Sequence, residues 1–132
     1  MEVSRRADYA LRAIHNLSGL PKGKLNSING IAEAECLPRE FLAKILQDLT
    51  AAGILASFGG VKGGYRLARP AKKVSYLDVI EAVDGPVHLS LCTEPVKCSC
   101  KPDDHCHLHQ FWVAQEKLIR NALSRQNFGT SR

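Results

Sequence analysis

The sequence predicts a mainly α-helical fold with one small β-hairpin: a winged helix-turn-helix followed by a long C-terminal helix. Three observations carry that expectation. Two helical segments meet at a turn of only Cys36-Leu37, a glycine-rich hairpin follows directly, and the chain ends in a long stretch with an apolar stripe. The expected division is a winged helix-turn-helix over 1–84, a cysteine-rich loop over 85–104, and a dimerisation helix with its tail over 105–132.

Each element has a local signal. Ser4 caps a first helix running to Leu17, with Ala10, Ala13, Ile14 and Leu17 on one face, and Gly19 to Gly23 end it. A short helix over Ile28 to Glu35 turns Ile28, Ile31 and Ala32 inward, with Asn26 or Ser27 at its start. Pro38 then suits the first position of the next helix, which runs to about Ala52 and stops at Gly53. Its apolar residues are Phe41, Leu42, Ile45, Leu46 and Leu49. Strand-like runs at Ile54–Ser57 and Tyr65–Ala68 flank the glycine-rich tip Phe58 to Gly64. Ser75 and Asp78 form a capping-box pattern for a helix to Val83, which Asp84-Gly85-Pro86 terminates. No periodicity spans Val87 to Asp104. The last helix, from about His105 to Gln126, presents Leu108, Phe111, Trp112, Gln115, Leu118, Ile119, Ala122 and Leu123 as one stripe. That stripe is wider than one small core needs, so a partner helix in a homodimer is its expected cover.

Charge points to a polyanion. The chain has a net charge of +5, and all of the excess lies early: residues 1–73 hold 12 Lys/Arg against 6 Asp/Glu. A DNA partner would release counterions from that half. In the expected recognition helix, Arg39, Glu40 and Lys44 occupy the two turns that reach base edges or phosphates. In the wing, Lys62 and Arg66 stand nearest the tip, with Arg69, Lys72 and Lys73 behind. A helical hairpin with a solvated charged face would explain any one of these features, but DNA binding explains them together. No run of 18 apolar residues exists, and the charged start Met1 to Ala10 lacks a signal-peptide core. The expected location is the cytoplasm.

The cysteines carry the chemistry. Cys36 stands alone, whereas Cys92, Cys98, Cys100 and Cys106 form Cys92-x5-Cys98-x-Cys100-x5-Cys106, with His105, His107 and His109 about the last. Thiolates suit iron–sulphur clusters and zinc. A structural zinc site more often shows two close Cys-x2-Cys or Cys-x2-His pairs, and only Cys106-x2-His109 fits. Zinc, thiol–disulfide chemistry or no cofactor remain the alternatives. A nucleophilic-cysteine enzyme would need a His and a carboxylate on a preformed scaffold. Thiols crowded in a polar loop argue against one, so no catalytic residue is expected.

With these residues in hand, the chain resembles the IscR/NsrR (Rrf) family of winged-helix regulators over almost its whole length. The likeness rests on Arg6-Ala7-Asp8-Tyr9-Ala10-Leu11-Arg12, on Leu37 to Leu46, on Lys62 to Pro70 and on Cys106 to Trp112. It implies a homodimeric repressor or activator that senses iron–sulphur status, nitric oxide or redox state through a cluster on three loop cysteines. The biogenesis type would need a cysteine where Asp104 stands. The nitric-oxide-sensor spacing is matched by Cys92, Cys100 and Cys106, which favours a 4Fe–4S over a 2Fe–2S cluster and leaves Cys98 as an extra metal-capable thiol. The resemblance offers Asp8 or His109 as fourth ligand, with Asp8 narrowly preferred. One departure stands out: Gly59 occupies the place of an arginine that family wings aim at the minor groove.

Overall fold

The computed structural model describes residues 2–94 and 106–129. Five helices and one antiparallel hairpin follow in the order α1 (Arg5–Ser18), α2 (Ile28–Glu35), α3 (Arg39–Ala51), β1 (Leu55–Phe58), β2 (Gly64–Leu67), α4 (Tyr76–Asp84) and α5 (His107–Arg125). Single 3-10 turns lie at Ala71–Lys73 and Leu91–Thr93. This is the winged helix-turn-helix with a long last helix that the sequence predicts.

Caps set the helix starts. The hydroxyls of Ser4 and Ser27 accept from the amides of Ala7 and Gly30, each at 3.0 Å. Ser75 and Asp78 form a reciprocal box: the Asp78 amide donates to the Ser75 hydroxyl, and the Ser75 amide to the Asp78 carboxylate. Pro38 lies one residue earlier than expected. It is the extended N-cap of α3, with ψ 125°, and Arg39 opens the helix. The turn before it closes on Cys36, whose φ of 56° places it in the left-handed region.

The core forms where the inner faces of α1 to α4 meet. Ile14, Ile31, Leu42, Ile45, Leu46, Leu49, Ile54, Val74 and Val79 are fully buried. Each such side chain withdrawn from water contributes about 1.5–3 kcal/mol. In the wing Leu55 pairs with Leu67 and Phe58 with Gly64, and Asn26 adds a bridge to Tyr65. The tip is tight: a Cβ on Gly63 would overlap the carbonyl of Phe58 and the backbone of Gly59.

Two features lie outside the sequence expectation. Phe41, one of the apolar residues of α3, is 56% exposed, because only Leu42, Ile45, Leu46 and Leu49 of that helix face the core. After α5 the chain returns to the winged body. Phe128 is buried, stacks at 4.7 Å on Tyr76 and donates its amide to the Ala71 carbonyl, while Asn127 bridges Ser75.

Candidate nucleic-acid interface and sensor segment

The exposed side of α3 carries the residues expected to meet DNA. Arg39, Glu40 and Lys44 all lie on the surface, joined there by Phe41. Arg39 is not loose: its Nε donates to Asn29 Oδ1 on α2 at 2.6 Å, which fixes the guanidinium at the head of the helix. Lys44 pairs with Asp48 at 3.2 Å. Asp48 also takes a 2.6 Å bond from Arg6 on α1, and the same guanidinium donates to the Val83 carbonyl at the end of α4. The outer face of α3 therefore presents Arg39 and Lys44 beside Glu40 and one aromatic side chain, and its flank is tied to α1 and α4. Periodicity marked Phe41 as apolar but could not say which way it faced. Asn29 left no signal at all.

The wing places Lys62 and Arg66 on the surface. Arg66 folds over the Phe58 ring, with its guanidinium carbon 4.9 Å from the centroid. Arg69 is drawn back toward Asp78 on α4 at 3.6 Å.

The other expected site begins where α4 ends. Glu81 Oε2 accepts from the Val87 amide at 3.1 Å and from Arg120 of α5 at 2.5 Å. Glu116 of α5 bonds His88 Nδ1 at 3.1 Å and the Leu89 amide at 3.4 Å. These carboxylates hold the lead-in to the Leu91–Thr93 turn, which packs on α5. Cys92 sits in that turn, half-buried, with Sγ 3.2 Å from the Ser90 hydroxyl. Cys106 is the half-buried N-cap residue of α5, and both thiols are free of disulfide. Cys98 and Cys100 lie outside the described residues. His109, at the first turn of α5, buries Nδ1 with no hydrogen-bond partner among the described residues. Asp8 is on α1, where its carboxylate pairs with Arg12 at 3.1 Å. Among the described residues no three potential ligands gather at metal-binding distance, and no helix is long and apolar enough to cross a membrane.

The long helix divides its stripe. Trp112, Gln115 and Leu123 are half-buried toward the body, whereas Leu108, Phe111, Leu118 and Ile119 stay exposed, and no residue of α5 is fully buried.

Known proteins align with this architecture. Residues 3–130 match the model of Rrf2, described as an iron-dependent transcriptional regulator. A protein of Aquifex aeolicus assigned as an HTH-type transcriptional regulator is 34% identical over 122 residues, which cover 92% of this chain and 84% of that one. One of Mycobacterium tuberculosis, assigned likewise, is 37% identical over 87 residues, 66% of this chain and 54% of its own length. This chain thus spans about half of that mycobacterial relative. Among solved structures, CymR, the global cysteine regulator of B. subtilis, superposes with a TM-score of 0.80 at 20% identity, covering 97% of this chain and 93% of CymR. IscR of T. potens superposes with a TM-score of 0.77 at 24% identity, covering 97% and 83%. At those identities the structures establish the winged-helix fold, and the family's members are transcriptional regulators rather than enzymes. The full-length family match, together with the identity to the Aquifex protein, places this chain in the Rrf2 family of transcriptional regulators.

Proposed function

We propose that this chain is a cytoplasmic, homodimeric DNA-binding regulator, acting as a repressor, whose cysteine loop holds an iron–sulphur cluster and so reports iron–sulphur status, nitric oxide or redox state. One juxtaposition carries the sensor half of this reading. The free, half-buried thiol of Cys106 and the buried, unpartnered Nδ1 of His109 stand one helical turn apart where α5 begins. A buried ring nitrogen without a partner costs about 1–3 kcal/mol, and a ligand would remove that cost.

The donor set suits the cofactor. Cys92, Cys100 and Cys106 are the thiolates for it, and their spacing favours the 4Fe–4S form. Cys98 is a further thiol within reach along the sequence. Of the two candidates for fourth donor, His109 has the better support, because the Asp8 carboxylate already faces Arg12. When bound, the cluster supplies a reactive centre sensitive to oxidation and nitrosylation. The chain's own residues do the rest. Glu81 and Glu116 fasten the segment before Cys92 to α4 and α5, and Arg6 ties the end of α4 to Asp48 on α3. Ligation and local folding are linked, so ordering the loop would fix the start of α5 and with it the spacing of two recognition helices. On the DNA side Arg39, Glu40 and Lys44 take the major groove, and Lys62 and Arg66 the flank. The exposed Leu108, Phe111, Leu118 and Ile119 take the partner's α5.

The test is a visible spectrum of protein purified without oxygen, with iron, acid-labile sulphide and zinc assayed on the same sample. Visible absorption with matching iron and sulphide, lost in Cys92→Ala, Cys100→Ala and Cys106→Ala, is the expected result. Colourless protein with zinc, or with no metal after attempted reconstitution, would overturn the cluster and leave a thiol-bearing DNA-binding regulator.

A further inference from the structure

A cleft of about 570 Å³ opens between the loop that follows α1 and the base of the wing. Its floor is apolar: Leu17 is 3% exposed, and Leu20, Leu67 and Ala71 are half-buried against the core. Its rim is cationic. Lys22 and Lys24 come from the loop, Arg66 from β2 and Arg69 from just beyond it. A turn sets the loop side, where the Lys24 amide donates to the Pro21 carbonyl at 3.0 Å and Gly23, at φ 81°, separates the two lysines. On the wing side the neighbour of Arg66 is the Phe58 ring, 4.9 Å from guanidinium carbon to centroid. Among the described residues no aspartate or glutamate lines the cleft. Of its four cations only Arg69 has a carboxylate within reach there, Asp78 at 3.6 Å.

We infer that this cleft is an effector site for a small organic anion with an apolar body, whose occupation weakens DNA binding. The cations Lys22, Lys24, Arg66 and Arg69 hold the anionic head, and Leu17, Leu20 and Leu67 carry the hydrocarbon. Like charges gathered about one recess repel one another, so an entering anion relieves that repulsion as well as pairing. A recess lined by one sign of charge over a low-dielectric floor concentrates ions of the opposite sign. Its volume falls in the range of small-molecule pockets, about 300–1,000 Å³, which are mostly apolar with a few placed polar groups. DNA fits these facts less well, because a duplex presents hydrated phosphates on a convex surface and leaves an apolar floor in water. A bare phosphate likewise has nothing to lay on the leucines. Carboxylate and phosphate heads suit the same four cations, and the experiment separates them. Among the described residues the cleft takes none from α4, α5 or the cysteine-bearing turn, so it stands apart from the cluster. The effect on DNA rests on the DNA-binding reading above, in which Arg66 flanks the duplex: an anion in the cleft neutralises that charge.

The experiment titrates the full-length protein, first without DNA, with octanoate, octyl phosphate, octanol and inorganic phosphate, and follows its backbone amides by nuclear magnetic resonance. Octanoate or octyl phosphate is expected to shift the amides of 17–24 and 66–71 to saturation, and the tighter of the two identifies the head group. Octanol and inorganic phosphate are each expected to bind at least about tenfold more weakly, lacking the charge or the chain. Lys22→Gln combined with Lys24→Gln is expected to weaken binding of the octyl anion about five- to tenfold. The melting temperature should stay as it is, since both side chains are exposed. Lys44→Gln removes a charge from α3 instead and should leave that affinity unchanged. Affinity for a pool of duplexes should fall about threefold or more when the octyl anion is saturating. Octanol binding as well as octanoate would remove the cations from the account, and inorganic phosphate binding as well as octyl phosphate would remove the floor; either result overturns the inference. So does an effect of Lys44→Gln equal to that of the paired lysine change, which is the mark of general charge attraction, and so does duplex affinity that the octyl anion leaves untouched. If neither octyl anion shifts these amides, while the paired change lowers the salt slope of DNA binding by about 1.8, the cleft is a flank of the DNA interface and the inference falls. Protein that binds the octyl anion in the cleft but binds no duplex overturns the DNA-binding reading and keeps the anion site.

Discussion

The winged body and the α5 segment are built on different principles. In the body, α1, α3 and α4 each bury at least two side chains, and the starts of α1 and α4 are fixed by serine caps. Along α5, 19 residues bury none. What holds it is a half-wet seam, the ion pair of Glu81 with Arg120 and the hydrogen bond between His88 and Glu116, and the return of the chain to Phe128. The difference teaches where each region gets its shape. The body is specified from within by packing. The long helix is specified by polar fastenings and by whatever covers its exposed apolar face.

The sharpest way to break that comparison is to cut both regions at their apolar anchors. Phe128→Ala is expected to cost about 3–5 kcal/mol and Leu46→Ala about 2–5 kcal/mol. Thermal melting should fall by about 3–6 °C for each kcal/mol. If Phe128→Ala melts like wild type, the tail is not part of the body's core. Removing the Ser75 hydroxyl as Ser75→Ala should cost about 1 kcal/mol, read from urea midpoints, because the helix box loses one of its two bonds. Glu116→Gln weakens the hold on His88 and the Leu89 amide. Amide exchange over 87–90 should quicken about fivefold, matching roughly 1 kcal/mol, while exchange in α3 stays put. Last, Leu118→Ser lies on the exposed face of α5, so the stability of the monomer should move by no more than about 0.5 kcal/mol. Sedimentation should nonetheless show weaker self-association. A large melting loss with unchanged association would mean that this face packs within the chain.

What the sequence disclosed follows the same division. Ser4, Ser27, Ser75 and Asp78 act within three or four residues, so their caps were readable directly. The turn at Cys36-Leu37 and the glycine tip of the wing were readable for the same reason. The outward turn of Phe41 was not readable, because an apolar side chain follows the helical period whether it faces the core or a ligand. Phe128 gave no signal, since its partners Tyr76 and Ala71 lie about fifty residues away in the chain. The stripe on α5 was legible as a stripe, but its division into a body-facing and an open half depends on the angle at which α5 crosses α4. For the sensor segment, residue types and spacing named Cys92, Cys106 and His109. Only the fold could show that a ring nitrogen of His109 is buried without a partner. The Arg6 link between α1, α3 and α4 is likewise a product of three-dimensional proximity, and no local pattern announces it.

The return of the chain to Phe128 has a mechanical consequence. With 19 residues and a rise of 1.5 Å each, α5 is about 28 Å long. Its far end is nailed to the body by a buried ring, while its near end rests on a cysteine-bearing turn. A beam fixed at one end and propped at the other does not slide when the prop is withdrawn; it pivots. The displacement is then largest at the propped end and along the outer face, and vanishes near the nail. In the proposed dimer, a modest loosening about Cys106 would thereby be magnified into a change of angle between two such beams, while the core that shapes α3 is left undisturbed.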